Sequence, residues 1–96
     1  MSLIPFSFNF SVACPVNSTG YVARYNNNEA TVCSAAEITV YIPSTDSFTT
    51  GTTVYIDASL NTPLTGFTFI SETVSATIWN LDSSTGVIGT STGNAC

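Results

Sequence analysis

The chain has 96 residues, the length of one domain with a modest core. Only 7% of them are charged, six acids against a single cation, Arg24, where a typical soluble domain has roughly 25%. A net charge of −5 without lysine or histidine excludes nucleic-acid binding, which needs clustered cations for counterion release, and disfavours anionic membranes. It also removes Ser–His and Cys–His nucleophiles and most general bases.

Serine and threonine make up close to a third of the chain. Together with Val, Ile, Phe and Tyr they favour pleated, half-buried surfaces, so an all-β fold is expected. Edge strands are commonly guarded by lysine, inward charges or proline, and this chain has no lysine to place. Uncovered edges invite association, which predicts a homo-oligomer or a part of a larger assembly. The opening MSLIPFSFNF lacks the basic region of a signal peptide, so synthesis in a cytoplasm without its own secretion signal is expected. No run approaches the roughly 18 apolar residues of a spanning helix.

In chain order, Leu3 to Ala13 is an amphipathic strand. Ile4, Phe6, Phe8, Phe10 and Val12 share one face, and Ser7, Asn9 and Ser11 the other. The phenylalanines either cover the domain's own sheet or form an assembly interface by docking onto a neighbour. Pro15 to Gly20 is a loop and Tyr21 to Tyr25 a short strand. Asn26 to Asn28 reads as a hairpin turn, with Ala30 to Val32 returning from it. Tyr21, Tyr25 and Asn27, with Trp79 further on, are the candidate platform for a surface glycan; the alternative is ordinary turn and core chemistry.

Cys33 to Glu37 is compatible with about one helical turn. Ile38 to Pro43 is a strand stopped by proline, and Ser44 to Gly51 a polar connection anchored by Phe48. In Gly51 to Ser71, Val54 and Ile56 alternate with Tyr55 and Asp57 as in a half-buried strand. Asp57 to Pro63 breaks it, and Leu64 to Ile70 resumes an extended run in which Gly66 permits a bulge. Thr73 to Leu81 is a strand with apolar residues on both faces, its Trp79 a core anchor or a contact residue. Asp82 to Gly86 predicts a bulged hairpin turn, and Val87–Ile88 pairs back. The count is about seven short strands, a small antiparallel β-sandwich or open barrel forming one domain over residues 1–96.

No metal or other cofactor is expected. Cys14, Cys33 and Cys96 lack metal-binding spacing, and zinc would need a fourth ligand from elsewhere. A Cys14–Cys33 disulfide and three reduced thiols are both open, cytoplasmic synthesis favouring the thiols. Asp46, Asp57, Glu72 and Asp82 fall in turns or at strand ends, where acids cap and solvate. Asp82 with Ser83 and Thr85 lacks the dense carboxylates of a calcium loop. The chain therefore reads as a non-enzyme.

The run Tyr55-Ile56-Asp57-Ala58-Ser59-Leu60-Asn61-Thr62-Pro63-Leu64-Thr65-Gly66-Phe67 resembles a module of Bacteroidetes surface proteins and of fibre or structural proteins of their tailed phages. Its recurring form is aromatic-x-Asp-x-x-Leu-x-Thr-Pro-Leu-x-Gly-aromatic. A stretch like Thr77 to Ile88 follows in that module, with a cysteine near the end, here Cys96. Cys33 marks its start, dividing the chain into a 1–32 strand-and-hairpin region and a 33–96 module. The resemblance implies a non-enzymatic structural protein of a bacteriophage virion, as capsid decoration, fibre or tail component. Its partners would be itself and other virion proteins, and its place the virion, after synthesis in the host cytoplasm. The alternatives are a carbohydrate-binding module for host attachment and a bacterial surface or filament subunit.

Overall fold

The computed structural model describes residues 17–96. The expected Leu3–Ala13 strand with Phe6, Phe8 and Phe10, and Cys14, lie outside the described residues. Five strands are present: β1 (Ser18–Asn26), β2 (Ile38–Pro43), β3 (Phe69–Glu72), β4 (Thr77–Leu81) and β5 (Ile88–Ala95). They form one open sheet in the order β2-β1-β3-β4-β5, with every neighbouring pair antiparallel. One helical turn, α1 (Glu29–Val32), follows β1. The expected all-β class is what these residues form.

Alternation along the strands decides which side is apolar. Tyr21, Ala23 and Tyr25 face the same way as Val40 and Ile42 of β2, Ile70 of β3 and Trp79 and Leu81 of β4, because the register pairs them across the sheet. The residues 44–68 connecting β2 to β3 add Val54 and Leu64 to that face. The resulting core is Ala23, Val40, Ile42, Val54, Leu64, Ile70, Leu81 and Ile88. Phe48 packs on Tyr21 with ring centroids 5.2 Å apart, and Phe67 on Tyr25 at 4.5 Å. Each fully buried aliphatic side chain here contributes about 1.5–3 kcal/mol.

Three local expectations are corrected. Ala30 to Val32 is not a returning strand. Asn28 caps α1, its side-chain oxygen accepting the Ala30 N–H at 2.9 Å, and acidic Glu29 sits in the first turn, a good start for a helix. The partner of β1 is β2. The strand expected over Thr73–Leu81 begins only at Thr77: the Glu72 carboxylate accepts the N–H groups of Val74 (3.0 Å) and Ser75 (2.7 Å), and Ala76 has φ +63°. That turn leaves Val74 92% exposed. Finally, Val54 and Ile56 do not share a buried face; Val54 is buried, Ile56 is half exposed, and the segment makes isolated bridges rather than a strand. Asp57 binds backbone ahead of it in the chain, pulling the segment away from a ladder.

The edges are managed without lysine. Tyr55 exchanges both backbone hydrogen bonds with Tyr41 on the outside of β2, at 2.8 Å each. A few residues earlier, Gly51 N–H donates to Ile88 O, Thr52 O accepts from Ile88 N–H and Val54 N–H donates to Gly86 O, all at 2.8 Å. The 51–55 stretch thus bonds to both edge strands. Further along β5, register shifts mark bulges, Ser91 Oγ accepts the Gly93 N–H and Thr92 Oγ1 accepts the Asn94 N–H. Bulges and hydroxyls blunt this edge as lysines would elsewhere. The expectation of open edges is corrected for these stretches.

Gly86 sits where these bonds converge, at φ +77°, and an added Cβ would lie 2.8 Å from Leu64 O and 3.0 Å from Val54 O. Gly66 has φ +89° with open space around its Cβ position. Urea unfolding should show Gly66→Ala losing about 1–2 kcal/mol through backbone strain alone. Gly86→Ala should lose that plus about 1–3 kcal/mol for the enforced shift.

Candidate functional site

The residues singled out as a glycan platform are not gathered into an exposed row. Tyr21, Tyr25 and Trp79 are partly buried against the core. Asn27 is exposed beside Thr68, whose hydroxyl donates to its side-chain oxygen at 3.5 Å. Trp79 Nε1 is buried with no hydrogen-bond partner among the described residues. Phe6, Phe8 and Phe10 lie outside them.

The Tyr55–Phe67 run has a structural account, residue by residue. The Asp57 carboxylate accepts the N–H of Asn61 (3.1 and 3.2 Å) and of Thr62 (2.9 Å). Ile56 N–H donates to Thr62 O at 3.0 Å, which closes the arch, and Tyr55 bridges Pro63 across its base. Leu60 takes φ +59°; such a conformation costs a non-glycine residue about 1–2 kcal/mol, offset here by the bonds to Asp57. Leu64 then enters the core, and Gly66 N–H donates to Ser83 O at 2.7 Å. Each of these positions shapes or anchors an arch.

The second concentration of side chains is on the sheet face opposite the core. Ile78 points there because its neighbour Trp79 points to the core. The 27–37 segment crosses this face as a strap. Val32 is fully buried beneath it, and Arg24 of β1 pairs with Glu37 at 2.7 Å. Asn94 Nδ2 donates to Glu29 Oε2 at 2.6 Å. Cys33, at the end of α1, is disulfide-bonded to Cys96, with Cα atoms 5.4 Å apart. Between strap and β5 runs a groove of about 460 Å³ lined by Glu29, Ala30, Cys33, Ile78, Asn94 and Ala95.

The pairing corrects both open readings of the cysteines, neither of which joined Cys33 to Cys96. Its reason is tertiary: α1 packs on β1 and β3 with Cys33 at its end, while Cys96 N–H donates to Ala76 O at 2.7 Å and holds the end of β5 nearby.

Two carboxylates are tuned by these turns. Burial raises the Glu72 pKa, but the Ser75 hydroxyl and the N–H groups of Ser75 and Val74 outweigh it and hold the group below its ordinary 4.5. The Ser84 hydroxyl and N–H lower the exposed Asp82 in the same way. Among the described residues no group of three or more Cys, Asp or Glu gathers as a metal site. No helix among them is long and apolar enough to cross a membrane.

Two outcomes follow for this region. The disulfide joins residues 63 apart, and loop-closure entropy assigns such a link about 4 kcal/mol; Cys33→Ser/Cys96→Ser should lower the urea-unfolding free energy by about that much. Because the folded pKa of Glu72 is depressed, its stabilisation is present above the ordinary value and is lost as pH falls through the lowered one. Stability measured from about pH 6 down to pH 3 should therefore drop less steeply in Glu72→Gln than in the wild type.

No family model, no curated protein and no solved structure matches this chain.

Proposed function

We propose that the chain is a non-enzymatic structural protein of a bacteriophage virion, acting through contacts with copies of itself or with other virion proteins. The observation that carries the contact role is the placement of its exposed large apolar residues. Val22 (44%), Ile38 (45%), Ile56 (50%) and Val74 (92%) are the large hydrophobics exposed among the described residues; they gather toward the β2 side of the sheet, Ile38 and Ile56 on its core side and Val22 on the opposite one. Val22 pairs with Thr39, next to Ile38. Thr73 N–H donates to Val22 O, which brings Val74 alongside, and the Tyr41–Tyr55 bridge sets Ile56 beside Val40. Apolar surface concentrated in this way marks a protein contact.

The virion assignment draws on the resemblance of Tyr55–Phe67 to phage and Bacteroidetes surface modules, and on a charge-poor composition suited to permanent burial. With the 51–55 stretch joining its two edges, the single sheet reads as a partly closed barrel. The Cys33–Cys96 bond favours a particle exterior, and it equally favours the second reading, a bacterial surface subunit.

Native mass spectrometry of the full chain, alone and as Ile38→Ser/Ile56→Ser, tests the contact role. A closed oligomer that falls to monomer in the variant is expected; a wild-type monomer overturns it. Co-purification with particles after lysis, rather than with cell envelopes, separates the two settings.

A further inference from the structure

We propose that the Cys33–Cys96 disulfide is a dithiol-reducible latch. Its opening frees the 27–37 strap and the end of β5 while the core on the other face stays folded. The inference goes beyond the structural role above and stands without it.

Three arrangements point to it. First, the bond and the core are on opposite sides of the sheet. None of the eight core residues belongs to the strap, and Val32 and Ile78, the buried apolar residues near the bond, are outside the core cluster. Second, what the bond joins has little order of its own. A four-residue helix is far below the length that persists unaided, and the last residues of β5 are bulged and exposed. Apart from Val32, four strap side-chain links hold the segment: the disulfide, Asn94 to Glu29, Arg24 to Glu37, and Thr68 to Asn27. Two of these four end on residues 94–96. Losing the bond therefore loosens both segments together.

Third, the surroundings of the two sulfurs differ in the way exchange chemistry requires. Cys33 lines the open groove of about 460 Å³ and Cys96 is exposed, so a small dithiol has access to the bond from the groove side. On the far side Ser71 is buried, with its hydroxyl 3.6 Å from Cys96 Sγ. A thiolate of the dithiol attacks Cys33 Sγ, forms a mixed disulfide and expels Cys96 as a thiolate, which accepts a hydrogen bond from the Ser71 hydroxyl. A better stabilised leaving thiolate departs faster. The second thiol of the reagent then displaces Cys33. The dithiol ends as a disulfide, and its two electrons and two protons reside on the Cys33 and Cys96 thiols. Ser71 is a positioning residue in this step.

Release uncovers Val32 and Ile78 and turns the strap face from closed to open. A chain made in a reducing cytoplasm would carry that face open, and the latch would close on reaching an oxidising exterior.

The test uses the full chain carrying Cys14→Ser, so that only one cysteine pair can exchange, with dithiothreitol as the dithiol. On reduction, amides over 27–37 and 92–96 should exchange at least about tenfold faster than core amides such as Val40 and Ile70, which lose protection only as far as the drop in global stability requires. Strap and core amides exchanging at one common rate after reduction, or no rise over the strap, overturns the latch. Cys33→Ser/Cys96→Ser should reproduce the reduced pattern; a globally unfolded double variant overturns it as well. Ser71→Ala should slow reduction several-fold, read by alkylation and mass, and an unchanged rate removes Ser71 from the step.

Discussion

A five-stranded sheet with one apolar face must cover that face, and here the cover is the 44–68 connection, with almost no regular structure of its own. Its backbone would be costly to bury without partners, so it borrows them from the sheet. Val54 and Leu64 reach the core because Tyr55 bonds to Tyr41 and because Val54 bonds to both Gly86 and Leu64. The Asp57 arch lies between these anchor points and turns the chain back on itself. Gly86 is placed where three of these segments approach so closely that no side chain fits.

The same economy explains how a chain with a single cation keeps its edges in order. Where other β proteins set lysines, this one closes an edge with its own backbone or with hydroxyls from Ser91 and Thr92. Serine and threonine are short enough to bond the backbone two residues away, and their abundance is thereby a structural resource. Acidic side chains follow the same habit. Asp57, Glu72 and Asp82 all take backbone N–H groups within a few residues in sequence, which gives three of the six acidic side chains a structural role.

The two faces of the sheet are held by different forces. The core face depends on apolar burial, which is insensitive to redox conditions. The strap face depends on one covalent bond, a few polar contacts and Val32. That asymmetry makes local opening of one face compatible with persistence of the other.

Much of the fold was legible in residue pattern alone. Composition indicated an all-β class, Ile38–Pro43 and Tyr21–Tyr25 read as strands by period and proline, and Asp82–Gly86 read as a turn because only such residues suit one. What misled was local competition. Asn28–Glu29 starts a helix as readily as a hairpin turn, and Glu72 ends a strand by bonding the turn after it rather than letting the Thr73–Leu81 pattern run. The candidate contacts were less legible, since a half-exposed tyrosine and a core tyrosine look alike in sequence. Sequence by itself determined which segments could be extended, which residues could turn, and the near absence of charge, because these depend on neighbours in the chain. Only the tertiary structure decided that Cys33 meets Cys96 and that Tyr55 closes one edge. Each of those joins residues far apart in sequence, and their meeting depends on sheet order, which no local pattern encodes.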